Sequence, residues 1–95
     1  MTFEWDPWKA AGNAVKHGVA FEDAAGVFLD PRALDGADEA HSRTEPRWWR
    51  LGRVPDGRVV TVAYTRRRNG DEESIRIISA RQASREERSA YRAQD

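Results

Sequence analysis

Residues 58–81 read RVVTVAYTRRRNGDEESIRIISAR, and this stretch decides the fold. Its first part alternates β-branched and aromatic residues with small or polar ones, as a strand does. Asn69-Gly70 then supplies residues that tolerate positive φ, so the chain turns. SIRIISAR returns as the next strand. Upstream, RWWRLGRV (47–54) alternates in places and Pro55-Asp56-Gly57 makes a turn. These three segments predict an antiparallel meander.

The N-terminal half carries helix signals. TFEW (2–5) is short and β-like. Asp6 can cap a helix and Pro7 suits its first position. A helix over 7–16 follows, with Ala10, Ala11, Ala14 and Val15 as its apolar stripe, and Gly18 ends it. A second helix over 21–29 puts Phe21, Ala24, Ala25 and Phe28 on one face, and Asp30-Pro31 stops it. RALDG (32–36) is a short strand candidate and GADEAHSRTEP (36–46) a loop. Ser84 and Glu87 form a capping box at the head of SREERSAYRAQ (84–94). The predicted fold is α+β: two N-terminal helices packed on a small antiparallel sheet, with a C-terminal helix, in a single domain over 1–95.

The 95 residues include no cysteine. That removes disulfides, thiolate chemistry and cysteine zinc sites, and it fits a reducing cytoplasm. The N-terminus lacks the basic and apolar regions of a secretory signal, and no apolar run is long enough to span a bilayer. The formal net charge is zero, but it is unevenly spread. Residues 1–42 hold three basic and eight acidic side chains, a net of −5; residues 43–95 hold thirteen arginines and eight acids, a net of +5. Arginine is a fixed charge with a planar fork that matches phosphate oxygens. Either an anionic partner meets the basic half, or the two halves neutralise each other.

Strand alternation sorts the arginines. In SIRIISAR, Ile75, Ile77 and Ser79 share a face that Arg81 continues; Arg76, Ile78 and Ala80 share the other. With Val59, Thr61, Ala63, Thr65 and Arg67 on the uncovered side of the preceding strand, the open face is expected to show Arg50, Arg67 and Arg76 together, with Trp48 beside them. Such a face suits RNA, guanidinium to phosphate and ring to base. It equally suits cross-strand ion pairs with Glu72 and Glu73. His17, before Gly18, serves a helix C-terminus when protonated or moves a proton, oriented by Glu22; His41 is a second candidate. Two distant histidines without a His-Glu-x-x-His spacing give no metal motif. Trp5 and Trp49 read as core; Trp8 and Trp48 either face a partner or join the core, the commoner use of any single tryptophan.

The blocks FEWDPWKAAGNAVKHGVAFEDAAGVF (3–28), HSRTEPRWWRLGR (41–53), VAYTRR (62–67) and IRIISARQASREERSAY (75–91) together resemble the BrnT family, toxins of bacterial type II toxin–antitoxin pairs. The resemblance covers about residues 3–91. It implies a RelE-like fold and a cytoplasmic endoribonuclease that inhibits translation without a metal or other cofactor. It implies a hetero-oligomer with a BrnA-like ribbon-helix-helix antitoxin, through which alone the toxin reaches operator DNA, and no membrane partner. By position it singles out Lys9, Lys16, His17 and Glu22 in the helical block and Arg47, Tyr64, Arg67, Arg76 and Arg81 in the strand blocks. Joined to the strand reading, this makes His17, Arg67 and Arg81 the expected catalytic residues and Lys9, Lys16, Arg47, Arg50, Tyr64 and Arg76 the expected RNA-binding ones. Ala20 stands where the family commonly has serine, Arg66 where it often has another residue, and GDEES lengthens the hairpin. The alternatives are a ParE-like toxin that acts on a protein such as gyrase, and a silent co-repressor module.

Overall fold

In the computed structural model, which describes residues 1–41 and 44–94, strands β1 (Thr2–Glu4), β2 (Leu34–Ala37), β3 (Trp48–Arg53), β4 (Val59–Asn69) and β5 (Glu72–Gln82) form one sheet. Its order is β1-β5-β4-β3-β2. Three helices surround it: α1 (Pro7–His17), α2 (Phe21–Ala24) with a 3-10 extension (Ala25–Leu29), and α3 (Arg85–Arg92). None of the described helices is long and apolar enough to cross a membrane.

The meander of β3, β4 and β5 is antiparallel as expected, and RALDG adds β2 antiparallel to β3. β1 departs from the expectation. It pairs parallel with β5, Phe3 opposite Ile75, so the sheet is mixed. No tight turn joins these two strands, and a hairpin is what would force them antiparallel.

Helix α1 starts as read, with Asp6 Oδ1 accepting from the Trp8 amide at 2.8 Å, and Gly18 closes it at φ 69°. Its orientation differs from the expected stripe. The residue it buries is Asn13, while Val15 is 90% exposed. Asn13 Nδ2 donates to the carbonyls of Val19 (3.0 Å) and Ala80 (2.8 Å), and its Oδ1 accepts from the Ala80 amide (3.1 Å). A fully satisfied amide can be buried at little cost, so Asn13 pins α1 to β5, and of the expected stripe Ala10 packs on the core while Ala11, Ala14 and Val15 are exposed. The second helix is shorter than read. It tightens to 3-10 geometry at Ala25, where Gly26 meets the Pro55 ring so closely that a Cβ would lie 2.7 Å from Pro55 Cδ.

The main core lies between α1, α2 and one sheet face: Val19, Phe21, Ala24 and Val27 against Val60, Val62, Tyr64, Ile75, Ile77 and Ala80. Helix α3 packs on the other face. There Tyr91, Leu51 and Ala83 form a second, smaller cluster with Leu34, Trp49 and Val59. The capping box is present, with the Glu87 amide donating to Ser84 Oγ and the Ser84 amide to Glu87 Oε1. Tyr91 ties the helix down by donating to Asp30 Oδ2 at 2.6 Å. Burial raises the Asp30 pKa, but the Arg53 amide, the Tyr91 hydroxyl and the Arg32 amide outweigh it and hold the carboxyl below its ordinary value.

Candidate functional site

A β-bulge decides which side chains share the α3 face. Ala63 pairs with Ser79, but Tyr64 pairs with Ile77, which leaves Ile78 as the extra residue of β5. An extra residue switches the alternation. Ile75, Ile77 and Ala80 therefore all enter the main core, whereas Arg76, Ser79 and Arg81 all reach the opposite face. Simple alternation had put Arg81 with Ile75 and Ile77; the bulge corrects that and puts it with Arg76.

On this face the middle of the sheet is floored by Thr61, Ala63 and Ser79. These side chains are small, so a groove of about 670 Å³ opens between the sheet and α3. Trp49 and Leu51 wall one side and Glu86, Glu87 and Ala90 of α3 the other. Trp49 lies flat over Gly36, its cross-strand partner, so closely that any Cβ there would overlap the indole. The ring is thereby fixed as part of the wall. Thr61 Oγ1 is buried and has no hydrogen-bond partner among the described residues.

Four ionisable groups with phosphodiester chemistry line this groove: His41, Asp38, Arg47 and Arg81. His41 Nδ1 lies 3.1 Å from both carboxylate oxygens of Asp38. A Nδ1–H donated to Asp38 leaves Nε2 as a free base. The Asp38 amide donates to the Arg47 carbonyl at 2.8 Å, which prolongs the β2–β3 pairing and sets Arg47 opposite Asp38. Across the groove Arg81 grips Glu87, Nη1 to Oε1 at 2.6 Å and Nη2 to Oε2 at 3.0 Å. The Arg81 hydrogen bond, assisted by the Ser84 amide, overcomes burial and holds the Glu87 pKa at about 2, while Glu87 raises that of Arg81.

The other expected site residues are dispersed. Arg50 is not on the open face. It opposes Val62, donates from Nε to the Val27 carbonyl at 2.8 Å, lies over the Phe28 ring and pairs with Asp35. Trp48 opposes Tyr64 and packs on the main core. Tyr64 is fully buried, its hydroxyl donating to Asp35 and accepting from Arg66; burial, the largest effect, raises its pKa. Strand alternation places all three: Tyr64 alternates with Val60 and Val62 on the core face of β4, and Trp48 and Arg50 pair with Tyr64 and Val62.

Lys9, Lys16 and His17 belong to α1, which covers the face opposite Arg81. His17 ends the helix as read but does not reach the groove residues. Arg67 and Arg76 are on the groove face, paired with Glu45 (3.1 Å) and Glu4 (3.7 Å). From Thr61, which opposes Arg81, to Arg67 is six residues of strand, roughly 20 Å at strand rise, too far for Arg67 and Arg81 to hold one phosphate. The bare arginine cluster expected on the open face is thus absent: Arg50, Arg67, Arg76 and Arg81 each meet a carboxylate. What shares one groove instead is Arg81 and Arg47 with His41, and the residues that reading by alternation missed are Asp38 and Glu87. The local trace of the dyad is the Asp38-x-x-His41 spacing, which a single 3-10 turn (Glu39–His41) folds into contact.

Comparison with known proteins matches this architecture. None of the curated proteins matches the chain. The crystal structure of the Brucella abortus ribonuclease toxin, BrnT, superposes with a TM-score of 0.64 over 90% of this chain and 99% of that one, at 24% sequence identity, which shows a shared fold. A family model described as "Ribonuclease toxin, BrnT, of type II toxin-antitoxin system" matches residues 5–87. The chain therefore belongs to the BrnT family of ribonuclease toxins, and an antitoxin is its partner.

Proposed function

We propose that this chain is an endoribonuclease of the bacterial cytoplasm, one toxin domain that needs no metal, cuts RNA to stop translation and is neutralised by a BrnA-like ribbon-helix-helix antitoxin. In the resulting hetero-oligomer the antitoxin alone contacts operator DNA. The observation that carries the reading is the meeting of His41–Asp38, Arg47 and Arg81 along one groove.

The chemistry follows from the groups present. His41 Nε2 takes the proton of an RNA 2′-hydroxyl, and Asp38 stabilises the resulting imidazolium. The 2′-oxygen attacks the adjacent phosphorus as the bond to O5′ breaks, giving a 2′,3′-cyclic phosphate and a 5′-hydroxyl that takes its proton from water. Arg81 and Arg47 bind the phosphate oxygens as charge builds on them. The phosphate competes with Glu87 for Arg81, so the ion pair keeps the guanidinium aimed into the groove until substrate arrives. Of the residues expected from the sequence, Arg81 and Arg47 stay at the reacting phosphate, and His41 takes the place of His17. Arg67 and Arg76, farther along the same face, guide the RNA backbone; Arg50 and Tyr64 support the sheet from the core side.

The test is incubation of the purified protein with RNA, with and without EDTA, and mapping of the ends. Cleavage with cyclic phosphate ends that persists in chelator supports the reading. Cleavage abolished by EDTA, or intact RNA alongside gyrase poisoning, removes it.

A further inference from the structure

We propose that the outer face of α1 is the surface on which the antitoxin docks, through an amphipathic helix that carries acidic residues beside its apolar stripe. At helical spacing Trp8, Ala11, Gly12 and Val15 fall on one side of α1, opposite Ala10 and Asn13, which face the core. Trp8 is 88% exposed and Val15 90%. Large apolar side chains left this bare on one stripe mark an interaction surface. Between them nothing lies within 4 Å of where a Gly12 Cβ would stand, so a second helix can approach the backbone closely there. Trp8 and Val15 are seven residues apart, about 10 Å along the axis, the spacing of successive knobs in helix–helix packing.

Charge selects the occupant. Lys9 and Lys16 flank the stripe on the same side, again seven residues apart, and both are exposed. Neither is near the groove, so their charge is unused by the proposed chemistry. They complement acidic residues beside the apolar face of a partner helix. A second copy of this chain fits less well, because a two-fold pairing of α1 with itself sets the lysine flank against the same flank. RNA also fits less well, since beyond Trp8 the stripe continues through Ala11, Gly12 and Val15, aliphatic side chains and bare backbone that favour a second apolar surface over successive stacked bases. A docked helix here leaves α1 between the antitoxin and the sheet, on the opposite side from the groove.

The inference rests on neutralisation by an antitoxin, and its test reads binding and cleavage separately. The probe is the antitoxin encoded by the reading frame beside the toxin gene, purified and titrated against the free toxin. The Trp8→Glu/Val15→Glu variant is expected to keep its melting temperature and RNA cleavage, lose affinity for the antitoxin by at least about 100-fold, and escape growth rescue. This follows from the cost of truncating apolar anchors. Lys9→Glu/Lys16→Glu is expected to lose roughly 10-fold, with a weaker salt dependence. Antitoxin affinity unchanged in the Trp8/Val15 variant overturns the proposal. So does loss of RNA binding, or of a self-dimer in light scattering, with antitoxin affinity intact. If neither protein cleaves RNA, the affinities still decide the docking surface.

Discussion

Arg81 and Glu87 form a two-pronged ion pair, 2.6 and 3.0 Å, that joins the end of β5 to the first turn of α3. Glu87 also receives the Ser84 amide, so one carboxylate caps the helix, fixes it to the sheet and aims a guanidinium into the groove.

That pair sets an acid limit to stability. The Glu87 pKa in the folded chain, about 2, lies below its ordinary 4.5. A carboxyl with a lowered folded-state pKa stabilises fully above its unfolded value and loses that contribution as pH falls through the folded one. Melting temperature measured from pH 6 to 2 is therefore expected to drop between about 4.5 and 2. Glu87→Gln, which retains a capping side chain, is expected to flatten that limb; an unaltered limb in the variant contradicts the assignment.

His41 is expected to carry proton transfer. Its side chain is 65% exposed, so His41→Ala should leave the melting temperature unchanged while cleavage falls by about 10²–10⁴-fold. His17→Gln should cleave at the wild-type rate, because α1 lies across the sheet from the groove. A gel assay with a defined RNA checks both, and the reverse pattern would return the role to His17.

Asn13 is expected to be worth more to stability than any alanine of α1. Asn13→Ala strips partners from two carbonyls and from the Ala80 amide. Each buried group so orphaned costs roughly 1–3 kcal/mol. Ala14→Ser on the same helix is exposed and should cost little. Urea unfolding of both variants gives the comparison, and equal losses would refute the clamp.

Thr61→Val is expected to hold or raise stability, by up to about 1 kcal/mol, since it exchanges an unpartnered buried hydroxyl for a methyl of the same shape. A loss of more than about 1 kcal/mol in thermal unfolding would mean that the hydroxyl has a role in the folded state.

The sequence pattern revealed the elements better than their mutual placement. Asp6-Pro7, Gly18, Ser84–Glu87 and Asn69-Gly70 are local chemistry, and each does in the fold what its neighbours in the chain require. The bulge at Ile78 has no such signature, because an extra residue in one strand is defined only by its partner; it alone decides that Arg81 reaches the groove. The rotation of α1 was hidden for a similar reason: Asn13 is polar until the Ala80 backbone is in view. Arg81 and Arg47 are legible as phosphate-binding types, and His17 stands out in the chain because it sits beside a helix stop. His41 depends on Asp38 and on the long connection into β3, which a linear reading treats as loop.

The parallel pairing of Phe3 with Ile75 has a consequence for folding. Its partners stand 72 residues apart in the chain. So long a loop must close before the contact repays its entropy. β1 therefore joins a meander that local hairpins have already zipped together, and the sheet's last edge is sealed at the slowest step.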